Sequence, residues 1–166
     1  MPRRPAKPRR TSCGVLVSDG ARLLLGHAAR SVLWDIPKGV AEAGEGFAEA
    51  AVRELREETG LQVSAEDLTD LGVHGYLPGK DLAVFAWRVE AMPAVESLRC
   101  TSRIPVSGGG WVLEFDRFAV LPWDEALGRV GKNMARVLGT LRAAPGWPFG
   151  GHGQRHGSVP GGQPDR

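Results

Sequence analysis

Cysteine and aromatic residues are scarce in this chain. Of its 166 residues two are cysteine and one is tyrosine, and aromatics make up 7%. Cys13 and Cys100 are too few and too far apart for a disulfide framework or a zinc site, so both read as buried thiols in a reducing cytosol. No apolar run approaches the roughly 18 residues a membrane span needs. The opening MPRRPAKPRR has charges but no apolar stretch behind them, which argues against a secretory signal. A cytoplasmic protein without a membrane partner is therefore expected. The length suits one domain with a proper core.

The formal net charge of +2 hides an asymmetry. Residues 1–10 carry five of the 21 Lys/Arg and no acid, while 143–166 carry Arg155, Arg166 and Asp165. The intervening 11–142 keep 14 basic against 18 acidic residues. The basic balance thus comes from the ends. Pro2, Pro5 and Pro8 prevent a basic amphipathic helix, so 1–11 reads as a solvated, disordered arm rather than a nucleic-acid contact. The Gly/Pro/His-rich 143–166, with His152 and His156, reads as a disordered tail.

Between these ends the pattern is α/β. Residues 12–18 and 22–27 are strand-like runs around Asp19-Gly20, a hairpin signal. A second strand pair is expected at 70–76 and 82–89, joined through Leu77-Pro78-Gly79-Lys80. A short strand follows at 118–121, then a helix capped by Asp124 and running to about 142. Residues 91–113 lack periodicity and contain Ser107-Gly108-Gly109-Gly110, which predicts a long mobile loop. Strands with helices on both faces make an α/β sandwich.

The most informative segment is GVAEAGEGFAEAAVRELREETGL, residues 39–61. Ala48, Ala51, Val52 and Leu55 recur at helical spacing and predict a buried stripe. Gly46 and Glu49 fit the N-terminal cap, and Gly60 sits where an αL residue ends a helix. Pro37, Gly39, Gly44 and Gly46 describe a tight loop before it. Glu54, Glu57 and Glu58 fall at i, i+3 and i+4, roughly 5–6 Å apart at Cβ on one helix face. Like charges so placed need compensation, and a hard divalent cation with oxygen ligands is the natural candidate.

Gly39, Glu45, Arg53-Glu54-Leu55, Glu57-Glu58 and Gly60-Leu61, with the lead-in Trp34-Asp35-Ile36-Pro37-Lys38, resemble the box of Nudix hydrolases of MutT-like type. The resemblance covers about 12–142 and is specific over 34–61. It implies an α/β/α sandwich with a mixed β-sheet. It also implies Mg²⁺-dependent hydrolysis of a diphosphate linkage in a nucleotide, with Mn²⁺ able to substitute. Glu54, Glu57 and Glu58 become metal ligands, Glu54 or Glu58 also orients or deprotonates water, and Arg53 holds Glu54. The Lys38 side chain is expected at a phosphate and its carbonyl at the metal, beside Gly39. Glu45 either reaches the metal through water or complements the helix dipole.

Other expectations lie outside the box. A further acid from a late loop is implied, with Glu114 preferred over Asp116. Trp34 and Tyr76 are each either core residues or part of a base-binding platform. Tyr76 and Pro78 both occupy the window that separates dinucleoside-polyphosphate from ADP-ribose hydrolases, so neither substrate is selected. Dinucleoside polyphosphates or nucleoside triphosphates, oxidised ones included, lead; ADP-ribose or a nucleotide sugar is the alternative. A non-catalytic nucleotide sensor is the rival from another class, though such domains commonly lose a metal-binding glutamate and none is missing here. A homodimer is a family expectation only.

Overall fold

The structure, a computed structural model, describes residues 7–150. Residues 1–6 and 151–166, with His152 and His156, lie outside them, and so do the expectations placed there. Chain order is β1 (Arg10–Ser18), β2 (Arg22–Ala28), β3 (Trp34–Asp35), β4 (Lys38–Val40), α1 (Phe47–Thr59), β5 (Thr69–Leu77) and β6 (Lys80–Arg88). There follow β7 (Arg103–Pro105), β8 (Trp111–Leu113), β9 (Phe115–Pro122), α2 (Trp123–Arg129) and α3 (Lys132–Ala143).

Seven strands form one mixed sheet, and β7 and β8 form a separate hairpin. β1 runs parallel to β6 along its whole length, from Arg10 opposite Lys80 to Ser18 opposite Arg88. β5 pairs antiparallel with β6, and β9 and β3 pair antiparallel with β2. Both faces are covered. Leu16, Leu82 and Val84 pack towards Met134, Val137 and Leu138 of α3, while Val15, Val17 and Phe85 join Ala50, Ala51 and Leu55 of α1. Burial on both sides explains why β1 reads as a continuous apolar run instead of an alternating one. This is the α/β/α sandwich with a mixed sheet. No helix among the described residues is long and apolar enough to cross a membrane.

The first hairpin turns at Asp19-Gly20, where the Asp19 carboxylate accepts from the Ala21 and Arg22 N–H groups at 3.0 and 2.9 Å. It then splays: β1 and β2 share one paired position, Ser18 with Leu23. Residues 34–40 enter the gap, with β3 on β2 and β4 on β1. Ile36 fills the wedge completely buried, and a Cβ on Gly14 would come within 2.8 Å of its Cδ1. The opened hairpin thereby seats the lead-in to α1 within the sheet.

Several sequence expectations need correction. The arm does not extend to residue 11: Arg10 opens β1, and Arg9 pairs with Asp81. Residues 91–113 are not one long loop, since Leu98 anchors the segment in the core and the Gly-rich run turns the β7–β8 hairpin. The predicted last helix is two helices. Val130 takes an extended conformation and bridges to Trp34, and Gly131 caps α3. Pro122, not Asp124, is the N-cap of α2. The packed domain also passes residue 142, because Trp147 and Phe149 stack on Trp123 at centroid distances of 5.2 and 5.8 Å.

Candidate active site

α1 begins at Gly46, whose carbonyl accepts from Ala50 N–H at 2.9 Å. It ends at Gly60, with φ of 80° and its N–H bonded to the Arg56 carbonyl at 2.8 Å. The expected stripe is shifted: Ala50, Ala51, Leu55 and Thr59 are buried, whereas Ala48 and Val52 are half-buried. Two of the three box carboxylates are buried as well, Glu54 at 8% and Glu58 at 2% exposure. They flank the apolar stripe and face the sheet edge opened by β4, instead of projecting into solvent opposite it.

Arg53 is the hub of this face. Its Nε and one terminal nitrogen grip Glu45 through two bonds of 2.8 Å. The other terminal nitrogen donates to Glu54 at 2.9 Å and to Glu57 at 3.3 Å. One guanidinium thus offsets the repulsion expected from the helix sequence. The Arg53 hydrogen bonds hold the Glu45 carboxyl down to about 2. Glu45 is therefore a clamp on Arg53. Burial pushes Glu54 upward despite Arg53. Burial pushes Glu58 well up too, reinforced by a hydrogen bond and charge repulsion from Glu114 and opposed by the Lys38 N–H.

The loop before α1 completes the wall. The Lys38 N–H donates to Glu58 at 2.8 Å, while the Lys38 ammonium pairs with Asp35 at 2.8 Å. Burial alone would lower the Lys38 pKa, but Asp35 raises it further, so the ammonium stays charged. Gly39 lies against the Glu54 carboxylate, which occupies the space of a side chain there. These groups surround a cleft of about 410 Å³, lined by Lys38, Gly39, Glu54, Glu58 and Glu114 among others. That size is within the range of small-molecule sites.

Of the predicted residues, Glu54, Glu58, Glu114, Lys38 and Gly39 meet at the cleft, with Arg53 and Glu45 behind them. Glu57 is not among the lining residues and leans on Arg53. Asp116 points elsewhere, pairing with His27 Nδ1 at 2.7 Å. Glu114, just before β9, reaches Glu58 because the β2–β9 register shifts between His27 and Ala28, and this bulge parts two acids that a regular strand would hold on one face. Trp34 is core, edge-on to His27 at 5.1 Å and beneath Arg117, so it offers no face for a base. Tyr76 packs against the same core and does not line the cleft. Arg10 and Lys80 do line it and were absent from the predicted set. Their only signal is the β1–β6 pairing, which joins residues 70 apart in the chain.

Among the described residues no three His, Cys, Asp or Glu side chains already form a cation cage. Arg53 draws Glu54 and Glu57 aside, and Glu58 turns to the Lys38 N–H and Glu114. The donor set still suits a hard divalent ion: carboxylate oxygens, two of them buried, with Glu58 and Glu114 forced together without a cation between them.

The NUDIX domain family model matches residues 8–96, more than half of the chain. The chain belongs to the NUDIX family. Glu114 and the β7–β8 hairpin lie beyond that matched NUDIX region. A MutT-like protein of Streptomyces ambofaciens is 39% identical over 56 residues, 34% of this chain. The match spans 36% of that relative's length. Among solved structures, the bifunctional NMN adenylyltransferase/ADP ribose pyrophosphatase of Francisella tularensis, complexed with AMP and Mn ion, aligns at TM-score 0.61 and 18% identity. That alignment covers 83% of this chain and 42% of the other. The dihydroneopterin triphosphate pyrophosphohydrolase of E. coli aligns at TM-score 0.56 and 20% identity, over 79% of this chain and 94% of that one. At these identities the likeness is one of NUDIX fold.

Proposed function

We propose that this NUDIX domain is a Mg²⁺-dependent hydrolase that cleaves a diphosphate linkage in a nucleotide, Mn²⁺ being able to replace Mg²⁺. The observation that carries the proposal is the convergence of Glu54, Glu58 and Glu114 on a cleft that Arg10, Lys38 and Lys80 also line. Bound between those carboxylates, a divalent ion would neutralise phosphate charge and acidify water. Glu54, Glu57 and Glu58, with the Lys38 carbonyl, would hold it.

The chain's own groups have separable tasks. Glu58, desolvated and held close to Glu114, with its carboxyl pushed well up, is suited to take a proton from the attacking water. Arg53 fixes the Glu54 rotamer, and Glu45 fixes Arg53. Lys38 presents a buried positive charge to the phosphates while Asp35 orients it. The leaving phosphate departs as an anion and needs little protonation.

A nucleoside triphosphate or dinucleoside polyphosphate is the preferred substrate, with ADP-ribose or a nucleotide sugar as the alternative. A catalytic role is favoured over a nucleotide-sensing one because every box glutamate is present. The test is a phosphate-release screen with added Mg²⁺ across these four classes, oxidised triphosphates included. Turnover of one class, abolished by chelation, supports the proposal. Undiminished turnover without divalent ions overturns it.

A further inference from the structure

The cleft carries more positive charge than its diphosphate machinery uses. Lys38 is held by Asp35 and serves the first two phosphates, and Arg53 is spent on Glu45, Glu54 and Glu57. Arg10 and Lys80, among the described residues, make no ion pair, and both line the cleft with Glu58 and Glu114. They are direct partners in the parallel β1–β6 ladder, so their side chains leave the same face of the sheet. The Arg10 N–H bonded to the Gly79 carbonyl at 3.1 Å ties the start of β1 to the β5–β6 turn and fixes this pairing. Lys80 is half-buried, and its ammonium is pushed down by burial and by Lys38 and Arg10, which outweigh the opposing Asp35 and Glu114 carboxylates. Two adjacent cations with no ion-pair partner of their own repel each other, and an anionic ligand removes that cost.

We infer that Arg10 and Lys80 bind an additional phosphate of the substrate, beyond the two at the carboxylate wall, and so select a chain of three or more phosphates over a diphosphate flanked by uncharged sugar. This rests on the diphosphate site proposed above for the position of the first two phosphates. Arg10 supplies a planar donor fork and Lys80 a point charge. Both line the same cleft as Glu54, Glu58 and Glu114, their register placing them on the sheet face of Leu16, Leu82 and Val84. ADP-ribose and nucleotide sugars, with two phosphates, leave this pair unmatched.

The test is calorimetric binding of inorganic tripolyphosphate and of pyrophosphate, with Mg²⁺, to the full chain. It is run on wild type, Arg10→Gln/Lys80→Gln and the conservative Arg10→Lys. Wild type should prefer tripolyphosphate by at least about tenfold, the double variant should lose that preference, and Arg10→Lys should retain most of it. Equal affinity for the two anions in wild type, or an unchanged preference in the double variant, overturns the inference. Turnover is scored separately, as the ratio of kcat/KM for a nucleoside triphosphate to that for ADP-ribose. Loss of preference for the triphosphate, carried by KM, supports it. A protein that discriminates the inorganic anions yet hydrolyses neither nucleotide sinks the hydrolase proposal and leaves the phosphate-counting pair standing.

Discussion

The Glu54 carboxylate stands against Gly39, in the space that any side chain at position 39 would fill. Two box residues 15 apart in sequence are thus one steric unit: a bare backbone in β4 and an acid on α1. Gly39 has no positive φ to explain its identity, so close approach is the reason glycine is needed. Arg53 presses from the other side at 2.9 Å, leaving Glu54 a single position.

Gly39→Ala should therefore act on the metal and not on the fold. The new methyl must push the Glu54 carboxylate away, which disturbs its bond to Arg53. Divalent-metal affinity is expected to fall about 10–100-fold, the usual cost of losing a group that orients a ligand. Mn²⁺ titration alongside a thermal melt checks this. An unchanged affinity would show that Glu54 has somewhere else to go.

Glu58→Gln should separate stability from function. In the wild type a buried carboxylate faces Glu114, and its pKa stands well above the usual range. An acid with a raised folded pKa favours the fold below its unfolded pKa, and that contribution is lost as pH rises through the folded value. At neutral pH without metal the charge is a burden. Glutamine keeps an oxygen for the Lys38 N–H and turns repulsion by Glu114 into a hydrogen bond. The variant should melt a few degrees higher in EDTA, with diphosphate hydrolysis lost. A lower melting temperature would count against the burden assigned to Glu58.

Helix α1, its glycine cap at either end and its carboxylate triplet were legible in the chain because each depends on residues within one turn. So was the Asp19-Gly20 reversal. What could not be read depends on distant partners. The splaying of β1 from β2 is caused by Ile36 entering the gap, and Arg10 becomes part of the site only when β1 lies beside β6. Strands of three residues around the Gly108–Gly110 turn are too short to show periodicity, and that hairpin is what delivers Glu114. Trp147 and Phe149 were obscured by surrounding glycine and proline, although Phe149 is buried and both rings pack on Trp123. Glu54 and Glu58 look like surface acids in any helical projection, since only β4 and Glu114 define the cleft they face.

The Glu45–Arg53 pair predicts an acid limb of the opposite sign. Arg53 depresses the Glu45 carboxyl to about 2, from an unfolded value near 4.5. A depressed acid stabilises the fold above its unfolded pKa and loses that contribution as pH falls through the folded one. Wild type should lose stability between about pH 4.5 and 2 through this pair. Glu45→Gln should start less stable at pH 6 and show a shallower slope across that window. Urea midpoints at a series of pH values measure the difference, and parallel slopes would remove Glu45 from the account. The same substitution frees Arg53 and should lower kcat more than it raises KM, since Glu45 touches no substrate.

Cys13 offers a test at alkaline pH. It is fully buried in β1, and burial, with Glu45 and Glu54 adding to it, pushes its thiol up to about 11. The neutral thiol belongs to the folded state, so its contribution is complete below the unfolded value of 9 and disappears as pH rises towards 11. Thiolate is the nucleophile, and here it is both scarce and enclosed. A disulfide-exchange reagent at pH 8 should label Cys100, which is only partly buried, and reach Cys13 only after unfolding. One fast thiol in the native protein and two in urea is the expected count. Two fast thiols without denaturant would mean that β1 opens locally, at the strand on which β4, β6 and the phosphate-facing Arg10 all depend.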